Sequence, residues 1–153
     1  MRELKFKAWD RKQKKMFPIQ RMEWNKISNE LVHLSGVDIH DKDSDHEGDV
    51  YYGGSAKKLT GTPAQLRYVP LQYTGWKDDT DTEVYESDLI MDMITAKIYE
   101  ILWDETGSGF GFADGEQFVD LYDFEDICSN GYRIVGNIYE NPDLLPKAPE
   151  SNE

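Results

Sequence analysis

The chain has 153 residues, a net charge of −13 and one cysteine, Cys128. This length fits one ordinary domain or two small ones, and a lone cysteine excludes a disulfide framework within the chain. The charged N-terminal segment argues against a secretory signal, and no apolar run approaches the ~20 residues that span a bilayer, so we expect a soluble, cytoplasmic protein with no membrane contact.

Charge is distributed unevenly along the sequence. Residues 1–26 hold nine Lys/Arg and three Asp/Glu, a local +6, whereas the other 127 residues hold eight and 27, a local −19. A basic segment lowers its electrostatic energy by lying on an acidic surface of its own chain or of a neighbour, so self-association is one expectation. The simpler interpretation, a turn at residues 10–15 whose lysines face water, stays open.

Alternating apolar and polar residues predict a small N-terminal β region over residues 1–70. Pro18 cannot donate a ladder hydrogen bond, which predicts a strand end or an edge strand at that point. Residues 36–63 are dominated by Gly, Asp, Ser and Lys around one apolar island at residues 50–52, which predicts a long polar insertion. The strand candidates of this region are residues 4–9, 15–19, 22–27 and 31–34.

The second half of the sequence predicts strand after strand, separated by turn residues at intervals of about ten. A hairpin signal covers residues 71–90, and five further short strands favour a small antiparallel barrel or sandwich over residues 71–145, followed by a polar tail at residues 146–153. Helix is limited to a turn at residues 123–128 and another after Pro142, with Asn141 as its cap. The strand candidates are residues 89–93, 97–103, 109–112, 117–122 and 132–139.

The densest cluster of metal-ligand residue types lies at residues 40–49. Asp41, Asp43 and Asp45 occupy the first three ligand positions of an EF-hand loop, but His46 stands where that loop needs glycine and Tyr52 where it needs glutamate. His40 and His46 have no second ligand cluster at zinc-like spacing. A solvated acidic loop is therefore favoured, and we expect no metal or cofactor.

Candidates for catalysis are equally weak. The glycine-rich segment 106–111 lies between two strands, which favours a hairpin turn over a phosphate loop, and Ser108 lacks the context of a nucleophile elbow. Asp88 with Asp92, and Glu100 with Asp104, share strand parity and would form a paired-carboxylate site if a closed sheet brought them together. Polar outward faces give the same pattern, so we predict a protein that is not an enzyme.

Aromatic residues are numerous, with four Trp, nine Tyr and six Phe. Most of these rings are expected in the core, although exposed ones lining a groove would suit a peptide or an unstacked base. The acidic body of the chain would repel phosphates, which argues against nucleic acid as a partner. The residues predicted for an interaction surface are Lys5, Lys7, Trp9, Arg11, Lys12, Trp24, Trp76 and Tyr85.

Three blocks of this sequence together resemble the YopX protein family, which is encoded by phages and prophages. The blocks are MRELKFKAWDRKQKKMFPI, LQYTGWKDDTDTEVYESDLI and RIVGNIYENPDLL, in that order. The resemblance implies a mostly β fold with an SH3-like barrel in the C-terminal half, a variable insertion at residues 36–63 and assembly into a homo-oligomer. It brings no catalytic residue, because the family is uncharacterised.

The sequence departs from the family pattern at two glycine positions. Members have an Asn-Gly hairpin centre and a Glu-Gly-Asp step, whereas this chain has Thr80-Asp81 and Glu86-Ser87-Asp88. A left-handed backbone at either position costs about 1 kcal/mol more without glycine. The hairpin is therefore predicted to be looser or of another type.

The leading functional hypothesis is a phage or prophage accessory protein, not an enzyme, that self-assembles and binds a host or phage protein. One alternative is an acidic DNA mimic that inhibits a host nucleic-acid enzyme, in keeping with the 27 carboxylates beyond residue 26. The other is a nucleic-acid binder that uses residues 2–26 with Trp9 or Trp24.

Overall fold

The computed structural model of the chain describes residues 3–11, 14–24, 26–27, 31–37, 51–55, 68–105, 109–114, 118–120 and 131–145. These residues form β-strands with antiparallel neighbours and one short 3₁₀ helix. The prediction of a mainly β protein with very little helix is confirmed. The chain divides into two compact units, residues 5–72 (the N unit) and residues 1–4 with 73–153 (the C unit).

The N unit is an antiparallel sheet with a small apolar core. Ala8, Phe17, Leu34 and Tyr68 are buried together, and the rings of Phe17 and Tyr68 meet edge to face with centroids 5.8 Å apart. Strands pair in the order β4-β3-β2-β1-β5. Their bounds are β1 Phe6–Asp10, β2 Lys15–Trp24, β3 Leu31–Val37, β4 Tyr51–Ser55 and β5 Tyr68–Lys77, whose residues 68–72 belong to this unit.

The second strand corrects the prediction of two short strands. β2 is one strand of ten residues that pairs with both β1 and β3, so Pro18 lies inside the sheet. The pairing of β2 with β3 shifts register between Ile19 and Arg21, immediately after the proline. Such an irregularity interrupts the ladder, which accommodates a residue that has no N–H to donate.

The predicted polar insertion contains regular structure. β3 runs to Val37, and β4 lies at residues 51–55, where the sequence offered one apolar island. β4 pairs with β3 from His33↔Ser55 to Val37↔Tyr51 and is the edge strand of the N-unit sheet. Tyr51 and Tyr52 favour a strand, whereas Gly53 and Gly54 do not, and pairing with β3 extends over both halves of β4.

The C unit has its own sheet and core. Val84, Ile90, Ile101, Phe110 and Phe112 are buried, and Ile101 is 0% exposed. Five strands pair in the antiparallel order β10-β9-β8-β7-β11, and β6 pairs with the second half of β5. Their bounds are β6 Glu83–Tyr85, β7 Asp88–Asp92, β8 Ile98–Asp104, β9 Gly109–Ala113, β10 Phe118–Asp120 and β11 Tyr132–Asn137.

The SH3-like barrel predicted for this half is not confirmed. β10 and β11 stand at the two ends of the five-stranded order, and within the described residues each pairs with one neighbour. The sheet is therefore open in the part of the chain that the structure describes. A barrel needs its first and last strands to pair, and short tight-turned strands alone do not decide whether they do.

The helical turn expected after Pro142 is present as a 3₁₀ helix, Pro142–Leu144. Asn141 precedes it, but its side chain makes no capping hydrogen bond to the helix, which corrects the expected cap. The other helical candidate, residues 123–128, and the tail at 146–153 lie outside the described residues, as do Cys128 and Ser108.

Candidate functional site

A bulge in β5 shapes the centre of the LQYTGWKDDTDTEVYESDLI block. Tyr73 pairs with Tyr85 and Lys77 with Glu83, so three residues of β5 face one residue of β6. The Thr74 hydroxyl donates to the carbonyl of Val84 (2.8 Å) and accepts from the amide of Trp76 (3.2 Å), replacing the interrupted ladder. Gly75 has φ +92°, a conformation that costs other residues energy. Trp76 emerges from the bulge packed against the C-unit core.

The hairpin loop after the bulge is closed by Asp78 and Thr82. The Asp78 amide donates to the Thr82 carbonyl (2.9 Å), and the Asp81 amide donates to the Asp78 carbonyl (3.1 Å). Asp81, the third loop residue, has φ +67°, as hairpins with three-residue loops require of that residue. The sequence predicted a turn that is looser or of another type. The looser turn is contradicted, because Asp78 Oδ1 also accepts from the Thr80 hydroxyl (2.7 Å) and the amides of Thr80 (2.9 Å) and Thr82 (3.0 Å).

The same loop is fastened to β11. The Asp79 amide donates to the Tyr132 carbonyl (3.0 Å), and Asp78 Oδ2 accepts from the Ile134 amide (3.1 Å). Arg133 donates from Nε and Nη2 to the two carboxylate oxygens of Asp79, at 2.9 and 2.8 Å. These contacts satisfy backbone groups on the open edge of β11 and so block that edge from pairing with another strand.

Two carboxylates of this loop, Asp78 and Asp79, are held in their ionised form. Hydrogen bonding to Arg133 lowers the pKa of Asp79, and the pKa of Arg133 is raised in return. For Asp78, partial burial works in the opposite direction, but hydrogen bonds from Thr80 and from backbone amides outweigh it and lower the pKa. Carboxylates so held anchor the fold and are poor proton donors at neutral pH.

Asp92 organises the turn between β7 and β8. Its Oδ1 accepts from the amides of Ile94 (2.8 Å) and Thr95 (3.3 Å), and its Oδ2 accepts from the Thr95 hydroxyl (2.9 Å). The bond from Ile94 is the largest cause of the lowered pKa of Asp92. Tyr132 points its hydroxyl at Oδ2 (3.5 Å), and burial raises the pKa of that tyrosine.

The paired-carboxylate hypothesis gains no support from these contacts. Asp88 and Asp92 stand at opposite ends of β7, and the buried Asp88 accepts a hydrogen bond from the Tyr85 amide (2.7 Å). Glu100 lies on β8 opposite Leu89 and Ala113, where burial raises its pKa. Asp88 and Asp92 therefore hold separate corners of the sheet.

The third sequence block forms a compact turn after β11. Asn137 Oδ1 accepts from the amides of Tyr139 (3.0 Å) and Glu140 (2.9 Å), and its own amide donates to Asn141 Oδ1 (3.3 Å). A Cβ on Gly136 would lie 2.6 Å from Asn141 Cγ, so that position has room only for glycine.

This turn is joined to the second block through Ser87. The Ile138 amide donates to the Ser87 carbonyl (3.1 Å), while the Ser87 amide donates to the carbonyl of Ile101 (2.8 Å). Ser87 has φ +67°, so Asp81 and Ser87, the two positions at which the sequence predicted a missing glycine, both adopt left-handed backbone.

The residues predicted for an interaction surface differ in their exposure. Trp9 is only 5% exposed, which corrects its assignment to the surface, whereas Trp24 is 51% exposed. Tyr85 packs its ring against Tyr73 (centroids 5.5 Å apart) and donates to Glu83 Oε2 (3.0 Å). Lys12 lies outside the described residues. The half-buried members of the predicted set are Lys5, Lys7, Arg11, Trp76 and Tyr85.

Sequence reasoning missed two kinds of residue. Arg133 was read only as part of a strand, although it is one of few basic residues in an acidic stretch and forms the bidentate pair with Asp79. Trp103 (43% exposed) lies on the surface of the C unit, although most aromatic rings were expected in the core, and Ile94 (81% exposed), between two strand candidates, was not singled out. Turn position accounts for Ile94, but no sequence signal marked Trp103.

The metal hypothesis receives no test from the structure. The segment from His40 to Asp49 lies outside the described residues. Elsewhere, the described part of the chain has no group of three or more His, Cys, Asp or Glu side chains arranged to hold a metal ion. None of its helices has the length and apolar character to cross a membrane.

The charge split follows the boundary between the units. The N unit has 12 Lys/Arg and 9 Asp/Glu, a net charge of +3, whereas the C unit has 5 and 21, a net charge of −16. Together they give the −13 of the whole chain.

These features define an all-β protein. Most of its described polar clusters lie in turns, where their hydrogen bonds hold the backbone in place. The chain belongs to the YopX protein family, whose model matches residues 5–146. The crystal structure of protein EF1440 from Enterococcus faecalis is similar, with a TM-score of 0.63 and 22% identity over 95% of this chain and 100% of that one. That likeness concerns the fold alone. No curated protein matches the sequence.

Proposed function

We propose that this YopX family protein is an accessory protein, not an enzyme, that self-associates and binds a protein partner. The observation that carries the proposal is the opposite net charge of the two units, +3 and −16. Bodies of opposite charge attract over about 8 to 10 Å at physiological salt, which favours contact between the N unit of one copy and the C unit of another.

The carboxylates of the C unit support a structural role more than a chemical one. Asp78, Asp79 and Asp92 accept hydrogen bonds from backbone amides or from Arg133, and each has a lowered pKa. A general acid needs a pKa near the working pH, and a nucleophile needs an activating base beside it. From the resemblance to phage and prophage proteins, we further propose that the protein acts in the cytoplasm of an infected host and that its partner is a host or phage protein.

Sedimentation velocity at low and at high salt tests self-association. Assembly at low salt that weakens as salt is added is the expected result, because screening shortens the range of the attraction. A protein that sediments as a monomer under both conditions would overturn this part of the proposal. Pull-down of the tagged chain from infected cells then identifies the protein partner, and recovery of none would remove the second part.

An acidic DNA mimic is the second candidate, and the −16 charge of the C unit is the observation that favours it. A mimic binds the DNA site of a host nucleic-acid enzyme, so added DNA should release that enzyme from the immobilised protein. This candidate would be excluded if added duplex DNA failed to displace the captured proteins. The third candidate is nucleic-acid binding through residues 2–26, which predicts a mobility shift that weakens as salt is added. No shift at low salt would exclude it.

A further inference from the structure

Trp103 forms an exposed aromatic platform at the end of β8. Its ring is 43% exposed and meets the ring of Phe110 edge to face, with centroids 5.0 Å apart and planes at 81°. Phe110 is buried in the C-unit core, so it holds the indole in a fixed position. An exposed carboxylate, Glu105, lies two residues further along the chain. We call Trp103 and Glu105 the Trp103 surface.

Such a surface suits a cationic, partly apolar ligand. The face of an indole attracts Lys or Arg by about 0.5–1 kcal/mol at exposed sites, and the nearby carboxylate of Glu105 adds a charge of the complementary sign. A rigid aromatic ring also buries apolar area at little cost in conformational entropy.

The N unit carries a group with that chemistry after β2. Trp24 is 51% exposed, Ile27 is 98% exposed, and the exposed Lys26 lies between them. Arg21 is close by in sequence, with 70% of its side chain exposed and an ion pair to Glu23. We call Trp24, Lys26 and Ile27 the Trp24 tip. Its combination of one cation and two large apolar side chains complements the Trp103 surface in both charge and polarity.

We propose that the Trp103 surface of one copy binds the Trp24 tip of a second copy. The inference rests on the proposed self-association and gives it a geometry. Because the two surfaces differ, the contact is heterologous. Each copy binds one neighbour through its Trp24 tip and another through its Trp103 surface, so repetition of the contact yields a ring or an open chain. The opposite charges of the N and C units orient the copies before contact.

Two exposed-residue variants test the pairing by sedimentation velocity at low salt. Trp24→Ala disables the tip, and Glu105→Lys disables the acceptor surface while leaving Trp103 and the core in place. Each variant alone should associate about tenfold more weakly than the wild type or worse, the effect of losing roughly 1.4 kcal/mol at an interface. Glu140→Lys, the same charge change at another exposed residue of the C unit, is the matched control and should assemble normally.

Mixing the two variants provides the sharper result. The tip of the Glu105→Lys chain and the acceptor surface of the Trp24→Ala chain are both intact, so the mixture should form a one-to-one complex that grows no further. Separate monomers in the mixture would overturn head-to-tail pairing. Assembly by Glu105→Lys as strong as the wild type would overturn the Trp103 surface while leaving self-association standing, whereas a monomeric wild type at every salt concentration would remove both.

Discussion

The two units of this protein have similar cores but opposite charges. Leu34 in the N unit and Ile101 in the C unit are both 0% exposed within β-sheet cores, yet the net charges are +3 and −16. Several acids of the C unit, Asp78, Asp79, Asp88 and Asp92, accept hydrogen bonds that fix its turns. Hydrogen bonding lowers the pKa of Asp78, Asp79 and Asp92, so these carboxylates fix turns and at the same time keep their contribution to the charge of the C unit.

The largest expected effect concerns what the units share. Ile101→Ala should lower the free energy of unfolding by about 2–5 kcal/mol, because it leaves a cavity in a packed core, and Leu34→Ala should fall in the same range. Urea denaturation followed by circular dichroism measures both. Ile94→Ala is the control, since that side chain is 81% exposed and its loss should leave stability nearly unchanged. A similar loss at Ile94 would contradict this picture of the core.

The next effect separates anchoring acids from other surface charge. Asp78→Ala should lower the free energy of unfolding by about 1–3 kcal/mol, because two loop amides, a hydroxyl and the Ile134 amide lose their acceptor. Asp143→Ala, at an exposed acid of the 3₁₀ helix, is the matched control and should have little effect. Equal losses in the two variants would mean that Asp78 anchors nothing.

The pH dependence of stability should identify the same carboxylate. Because folding lowers the pKa of Asp78, its contribution is fully present above the unfolded value of about 3.9 and is lost as the pH falls through the lower folded value. Thermal unfolding of the wild type and of Asp78→Asn is compared between about pH 2 and about pH 6. The variant should lose less stability than the wild type as the pH falls. Parallel curves would contradict the assigned role.

A smaller effect tests the missing glycine. Ser87→Gly should raise the free energy of unfolding by about 0.5–1 kcal/mol, because Ser87 has φ +67° and glycine adopts that backbone without strain. Ser87→Ala is the control, since it removes the hydroxyl but keeps the Cβ and should give no gain. A gain from alanine would show that the hydroxyl, and not the backbone, causes the strain.

The smallest effect concerns a charge that opposes folding. Burial raises the pKa of Glu100, so its ionised form is disfavoured in the folded state, and Glu100→Gln should stabilise at neutral pH by less than about 1 kcal/mol for a half-exposed group. The gain should shrink as the pH falls through the raised folded pKa, where the wild-type carboxyl becomes neutral. Thermal melts compare the stability of this variant with that of Glu105→Gln, a change at an exposed residue. Equal gains in stability would contradict the burial argument.

The sequence by itself determined the strand-rich fold, the family and two of the four non-glycine residues that have positive φ in the described part of the chain. Alternation with period two located most strands, since side chains of a strand point to alternate faces. Asp81 and Ser87 were recognisable because the family places glycine there, and both have positive φ in the structure. These features are local in the chain, so local sequence carries them.

Tertiary structure decided the features that join distant residues. Arg133 meets Asp79 across 54 positions, and β4 depends on pairing with β3, so neither is visible in a short window of sequence. Trp9 and Trp24 both occur in strand patterns, yet one is 5% and the other 51% exposed. Whether a strand face is buried depends on what packs over it, and that is set by the arrangement of the whole sheet, not by the alternation within one strand.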